Sequence, residues 1–257
     1  MIRGLYTVAS GLITSEAKQN SIMNNMANVN TPGYKAEKLA IKSFDEVMIS
    51  NKDKLVARKN YKNNIGTLSN GAEINDKVTY FEQGFVKDTS SPTDFAIEGN
   101  GFFMVRQRGN NEVAYTRDGH FSIDGNGYLV NQSGDVVLGR SSATGNLEPI
   151  NVGKGDLSCD KLGNIRVDGN LKYQFEVVDF QNYDNLTKIG HNIYSTTETG
   201  IRSNGFIRQK GLEQSNVNTV VEMSDMMSTM RGFESNIKTL KVLDETLGKA
   251  VNDIARR

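Results

Sequence analysis

Residues 216 to 257 read NVNTVVEMSDMMSTMRGFESNIKTLKVLDETLGKAVNDIARR, and the spacing of apolar side chains in this stretch decides the fold. Written in heptads, one series is Met223, Met230, Ile237, Asp244 and Val251; the other is Met226, Phe233, Leu240, Leu247 and Ile254. Apolar residues alternately three and four apart over about five heptads, without proline, mark the seam of a coiled coil. Thr219-Val220-Val221-Glu222 supplies a start signal, a capping box in which hydroxyl and carboxylate each satisfy an orphan amide. At about 1.5 Å rise per residue the helix runs roughly 55 Å, and its seam needs an equally long partner.

The other end of the chain offers one. Leu5, Val8, Leu12, Ile22, Met26 and Val29 fall on a second heptad seam, interrupted by Ser15 and Gln19. Between residues 2 and 29 only Arg3, Glu16 and Lys18 are charged, and the non-seam face is Asn, Ser, Thr, Gln, Ala and Gly. A helix facing water carries a strongly charged outer side. This one reads as packed on several sides by other protein. It stops at Asn28-Val29-Asn30-Thr31-Pro32-Gly33-Tyr34-Lys35, where proline cannot continue a helix and glycine supplies the turn.

Four regions follow: a terminal helix and turn over 1–35, a linker or extended arm over 36–77, a β-rich outer domain over 78–211, and the second helix over 212–257. Phe44, Val47 and Met48 suggest a short helix within 40–50, and 51–77 is Lys/Asn-rich with few apolar residues. From Val78 the apolar period becomes two, in short strands such as Phe95-Ala96-Ile97 and Phe102-Phe103-Met104-Val105. Hairpin turns are expected at Asp118-Gly119, Asp124-Gly125-Asn126-Gly127, Ser133-Gly134 and Asp168-Gly169. The pattern Asp124-x-x-Gly127-x-Leu129 is echoed by Asp160-x-x-Gly163-x-Ile165. The fold class is therefore mainly β with long terminal α-helices, the helices pairing as a coiled coil around an all-β sandwich or open-barrel middle domain.

Composition narrows function by exclusion. Thirty basic and thirty acidic residues balance, which argues against nucleic acid or an anionic membrane as main partner. No run of eighteen apolar residues exists, so no direct membrane insertion is expected. Met1-Ile2-Arg3-Gly4-Leu5 opens no secretory h-region, so no cleaved signal is expected, and the totals suggest a soluble, glycine-rich protein. The basic cluster Lys52, Lys54, Arg58, Lys59 and Lys62 lacks interleaved aromatics and reads as a solvated arm.

Chemistry-bearing motifs are equally scarce. With His120, His191 and a lone Cys159 there is no zinc set. Asp124-Gly125-Asn126-Gly127 fails as a calcium loop because Tyr128 and Leu129 occupy the next ligand and glycine positions. Gly153-Lys154 and Gly248-Lys249 lack a phosphate loop's upstream glycine, and the Ser15/Lys18 spacing has no companion motif. Met223, Met226, Met227 and Met230 sit at heptad spacing and read as an adaptable seam rather than a metal site. No enzyme, cofactor or metal is expected.

Five stretches carry a resemblance: Asn24 to Lys35; Asp94-Phe95-Ala96-Ile97-Glu98-Gly99-Asn100-Gly101-Phe102-Phe103; Tyr115-Thr116-Arg117-Asp118-Gly119; Gly211-Leu212-Glu213-Gln214-Ser215-Asn216-Val217-Asn218; and Arg231-Gly232-Phe233-Glu234. In order and across nearly the whole chain, they resemble the bacterial flagellar basal-body rod and hook proteins; the length suits a rod member of distal or proximal type. The resemblance implies a structural subunit of the drive shaft, lying outside the cytoplasmic membrane. It implies export by the flagellum's own secretion apparatus, and as partners copies of itself and other rod and hook proteins. The terminal helices would pack into the inner wall of a helical tube that transmits torque, with the β-domain outwards.

On that reading the assembly interface is Leu5, Val8, Leu12, Ile22, Met26 and Val29 with Met223, Met226, Met230, Phe233, Ile237, Leu240, Leu247, Val251 and Ile254. Gln19 and Asp244, polar within the seams, would fix register. Each buried seam side chain contributes roughly 1.5–3 kcal/mol, against about 1–2 kcal/mol of backbone entropy per ordered residue. A lone pair of helices is then marginal, and the termini should order as they dock. The alternatives are an oligomeric β-domain ligand-binding module on a coiled-coil stalk, and a hydrolase with an unrecognised carboxylate pair.

Overall fold

The computed structural model describes the backbone of residues 2–56, 59–190, 192–203 and 205–255, with side chains at 2, 52–63 and 253–255 outside the description. The protein is mainly β, with one helix at each end and a β-sheet middle domain. It divides into two compact units. One comprises residues 1–26, 37–78 and 219–257; the other comprises 27–36 and 79–218.

The first unit holds α1 (Ile2–Ala27), β1 (Glu37–Ser43), β2 (Val47–Val56), β3 (Lys59–Leu68), β4 (Ala72–Thr79) and α2 (Thr219–Ala255). α1 and α2 run antiparallel. A Cβ on Gly4 would lie 3.6 Å from Leu243 Cδ1, and one on Gly11 would lie 3.1 Å from Asn236 Nδ2. Asn25 Nδ2 donates to Glu222 Oε1 at 3.3 Å. These contacts recur at multiples of seven residues on both helices, in opposite chain directions.

A second side of α1 meets the strands. Asn25 Nδ2 donates to the Glu37 carbonyl at 2.9 Å and Asn25 Oδ1 accepts from the Glu37 amide at 3.0 Å, so one amide side chain completes a strand end. Ser21 Oγ donates to the same carbonyl at 3.1 Å, and Lys77 Nζ holds the Glu37 carboxylate at 2.6 Å. Nearer the chain start, Ser10 Oγ accepts from the Ala72 amide and Thr7 Oγ1 donates to the Asn70 carbonyl. The small polar residues of α1 are thus spent on backbone groups, which explains a helix with few charges.

Residues 40–50 do not form the expected helix. They are the end of β1, a short link and the start of β2. Nor is 51–77 a bare arm, because β2 and β3 pair as a long antiparallel hairpin and β4 pairs with β1. Among the described residues of β2 and β3 no side chain is buried, so nothing there demands alternation and the period-two signal is weak. Of the basic cluster, Lys52 and Lys54 lie in β2 and Lys59 and Lys62 in β3, while Arg58 falls outside the described residues.

The second unit is built on a sheet of thirteen strands that does not close into a barrel. Along its main path lie, in order, Leu157–Cys159, Asn164–Val167, Asn170–Phe175, Val136–Ser141, Phe102–Arg106, Val113–Thr116, Ile193–Ser195 and Thr187–Gly190. The central Phe102–Arg106 strand is covered on both faces. Phe103 belongs to a core with Phe95, Phe121 and Phe175, while its neighbour Phe102 points into a second cluster with Phe180 and Tyr194.

The echoed turns share one build, and the structure adds a third copy. In Asp124–Gly127, Asn131–Gly134 and Asp160–Gly163 the fourth amide donates to the first carbonyl, and each closing glycine has positive φ. Asp168-Gly169 also turns between paired strands. Asp118-Gly119 does not make a hairpin. The Gly119 carbonyl accepts from the amides of Phe95 and Phe121, and a Cβ there would collide with the Phe95 carbonyl. Gly119→Ala should therefore destabilise the β-sheet unit by at least about 1–3 kcal/mol. The urea midpoint of the purified protein checks this.

Candidate functional site

The candidate site comprises the faces of the two terminal helices and the buried polar bracing between distant stretches of the chain. On α2 the series Met226, Phe233, Leu240 and Leu247 is half-buried, whereas Met223, Met230, Asp244 and Val251 are exposed and Ile237 is half-buried. Glu222 and Thr229 are buried, and Asn236, Leu243 and Ala250 are half-buried. The second series facing α1 therefore lies one residue earlier than the apolar pattern suggests. Polar Glu222 and Asn236 meet Asn25 and Gly11, so hydrogen bonding and close approach outweigh apolarity there. Thr219 is the first residue of α2 itself, and the Glu222 carboxylate is engaged by Asn25.

On α1 Ile22 is buried; Leu5, Val8, Leu12, Met26 and Gln19 are half-buried. Val29 lies beyond α1 and packs in the other unit with Tyr34, Ala36 and Val217. The Ile254 side chain lies outside the described residues. Burial raises the Glu222 pKa, and the Asn25 hydrogen bond opposes that rise.

Among the described residues of the first unit, Ile22 is the one buried hydrophobic, beside buried Thr14, Ser21, Asn25, Glu37, Glu222 and Thr229. Large apolar side chains lie outside instead: Tyr6 65% exposed, Ile13 62%, Met48 63%, Ile65 65%, Val220 76% and Met227 56%. The fully buried side chains here are thus mostly polar, while the apolar ones are half-buried or exposed.

In the second unit, three distant stretches of the resemblance converge on the carboxylate of Glu213. Lys35 Nζ reaches Glu213 Oε1 at 2.6 Å and also donates to the Glu82 carbonyl at 2.7 Å. The Gly84 amide donates to the same Oε1 at 2.9 Å, and Arg117 Nη1 lies 3.4 Å from Oε2. Arg117 Nη1 also donates to the Gly99 carbonyl at 2.9 Å, with its guanidinium 5.2 Å above the Phe102 ring. The Gly33 amide donates to the Glu213 carbonyl at 2.7 Å; φ is +65° at Gly33, and a Cβ there would lie 2.5 Å from the Arg117 carbonyl carbon. Only glycine fits.

The bracing extends along both segments. Asn216 Oδ1 accepts from the Ala36 amide at 2.8 Å while its Nδ2 donates to the Tyr80 carbonyl at 2.8 Å. Asn192 Nδ2 caps the Pro32 carbonyl at 3.1 Å, and the Lys188 ammonium stands 4.3 Å over the Tyr34 ring. This cluster holds the stretch that follows α1 in sequence against the stretch that precedes α2. Burial lowers the Lys35 pKa, with Glu213 opposing the fall. In the sequence, Lys35, Arg117 and Glu213 stand in separate motifs that no local pattern links; one acid and two cations set among glycines is the available signal.

His120 Nδ1 is 2.9 Å from Asp94 Oδ1, and the His120 amide donates to Asp118 Oδ1 at 2.9 Å. Burial pushes the Cys159 thiol up to about 12, and His191 falls outside the described residues. Among the described residues no group of three or more His, Cys, Asp or Glu could hold a metal ion. Among the same residues, no helix is long and apolar enough to cross a membrane.

Two consequences are measurable. Lys35→Met leaves a buried carboxylate short of its main partner and should cost about 3–5 kcal/mol, as should Glu213→Leu. The double variant should lose clearly less than the sum, which a double-mutant cycle in urea reads directly. Burial also pushes the Asp118 carboxyl from its ordinary 3.8 up to about 6, against the pull of His120. A carboxyl whose folded pKa is raised favours the protonated form, so its contribution to stability is full in acid and is lost as pH rises from about 4 to about 6. Asp118→Asn should flatten that part of the stability–pH curve.

Comparison with known proteins gives matches in order along the chain. Residues 5–35 match the family described as "Flagella basal body rod protein", and residues 96–174 match "Flagellar hook protein FlgE/F/G D1 domain". Residues 208–253 match "Flagellar basal body rod FlgEFG protein C-terminal". The chain is 32% identical to the flagellar basal-body rod protein FlgG of Borreliella burgdorferi, over 98% of each chain. It is 30% identical to FlgG of Buchnera aphidicola subsp. Schizaphis graminum, over 97% of this chain and 98% of the relative. Full-length similarity at 26% identity extends to the flagellar hook-basal body complex protein FlhO of Bacillus subtilis. The chain belongs to the flagellar basal-body rod protein family and is a structural subunit of the rod.

Proposed function

We propose that the subunit polymerises with copies of itself into a helical tube, with α1 and α2 pairing as a two-stranded antiparallel coiled coil in its wall. The observation that supports this reading is the distribution of apolar surface in the first unit. Among the described residues its fully buried side chains are mostly polar, held by hydrogen bonds each worth about 0.5–1.5 kcal/mol net, and its apolar seam residues are only half-buried. Its exposed Tyr, Ile, Met and Val side chains gain roughly 1.5–3 kcal/mol apiece if neighbouring subunits bury them fully. The free energy that orders the terminal helices thus comes mainly from assembly, and the helices are dynamic before it.

A repeated contact between two different surfaces does not close on itself and gives a filament. Torque would pass through the packed helices, whose low compressibility makes them stiff. The subunit performs no catalysis, binds no cofactor, contacts neither nucleic acid nor the bilayer core, and leaves the cytoplasm through the flagellum's own export apparatus. The interface then includes Met223, Met230 and Val251, which one chain leaves exposed.

Amide exchange tests the reading. In a dilute monomer, α1 and α2 should exchange at least a hundredfold faster than the Phe102–Arg106 strand, and in isolated rods they should be protected. Equal protection of helices and strand in a verified monomer would overturn it. Asp244 is exposed in the single chain, so Asp244→Leu should leave monomer stability within about 0.5 kcal/mol. If Asp244 sets register between subunits, basal bodies carrying that variant should show shortened or aggregated rods.

A further inference from the structure

Two surfaces of the first unit expose apolar side chains. A groove of about 660 Å³ runs between α1 and the chain around β2 and β4, with Tyr6, Ile13, Phe44 and Val47 on its walls. Arg3, Asp45 and Glu73 also line it. Glu73 is already paired with Lys42 at 3.1 Å, while exposed Asp45 has no ion-pair partner among the described residues. The second surface is a ridge. Val220, Met223, Met227 and Met230, spaced three, four and three apart, lie 76%, 48%, 56% and 49% exposed on a flank of α2. Arg231, one turn beyond Met227 on that flank, is exposed and likewise has no ion-pair partner among the described residues.

We propose that the Met223/Met227/Met230 ridge of one copy seats in the Tyr6/Ile13/Phe44/Val47 groove of a second copy, with Arg231 of the ridge pairing with Asp45 of the groove. This rests on the assembly reading above and names the two surfaces involved. The ridge is methionine-rich and edged by Arg231; the groove has apolar walls and carries Asp45 and Glu73 beside Arg3. When the copy that takes a ridge is not the copy that supplies a ridge in return, each addition leaves one ridge and one groove free, the condition for open-ended growth. Unbranched methionines adapt to a seat whose outline varies slightly between positions.

Cysteine cross-linking in basal bodies tests the proposal, on a Cys159→Ser background that removes the chain's one native thiol. Two versions of the full chain are co-produced, one with Ile13→Cys and one with Met227→Cys; the control replaces the second by Val242→Cys, about 22 Å further along α2. Oxidation should give a disulfide-linked dimer with the first pair, at least tenfold more than with the control. Rods that incorporate both versions yet give no disulfide between positions 13 and 227, or equal product with the control, overturn the proposal and leave the rod assignment standing. Absence of the unsubstituted chain from purified rods would instead overturn the assembly reading itself. Independently, Asp45→Lys and Arg231→Glu should each reduce the fraction of swimming cells at least tenfold, and the double reversal should restore it. Single reversals without effect, or a double that is no better, overturn the ion pair and with it the docking geometry.

Discussion

The Glu213 carboxylate is the constraint on which the β-sheet unit's organisation depends. A carboxylate 1% exposed is tolerable only with its hydrogen-bonding capacity filled, and the donors come from Lys35, Gly84 and Arg117, far apart in sequence. None can be supplied by local structure. Once they converge, the stretch after α1 and the stretch before α2 are held against one another, with Gly33 allowing a backbone approach that any side chain would block. Such a cluster adds little net stability over an apolar one. What it contributes is uniqueness, because a shifted register leaves a buried charge unpaired.

The two units divide the work of a filament subunit along the same physical line. The second unit closes its own core around Phe95, Phe103, Phe121 and Phe175. The first unit fully buries mainly polar groups and leaves its large apolar side chains half-buried or exposed.

Much of this is legible without coordinates because it rests on local rules. The change of apolar period near residue 78, the turn grammar of Asp124–Gly127 and its echo, and the stop at Pro32-Gly33 follow from residue types and spacing alone. The helix of 216–257 is legible too, but the apolar rule places its seam one residue late in one of two series. That rule chooses Met223 over Glu222 and Met230 over Thr229. The folded chain chooses the polar pair, because Asn25 receives Glu222 and a small polar helix lies opposite. The β2–β3 hairpin reads as an arm for a related reason: none of its described side chains is buried, so its sequence is free of the alternation that identifies strands.

By itself, then, the order of residues determined which segments coil, which pleat and where the chain turns, since those depend on propensity and periodicity within a few residues. It also determined kinship, through motifs whose identity survives without knowing what they touch. Only the tertiary structure decided that Lys35, Arg117 and Glu213 meet, that Asn25 serves both Glu37 and Glu222, and that Met223, Met227 and Met230 of α2 face outward. Those outcomes depend on distances between residues far apart in the chain, which burial and hydrogen bonding set and no local pattern records.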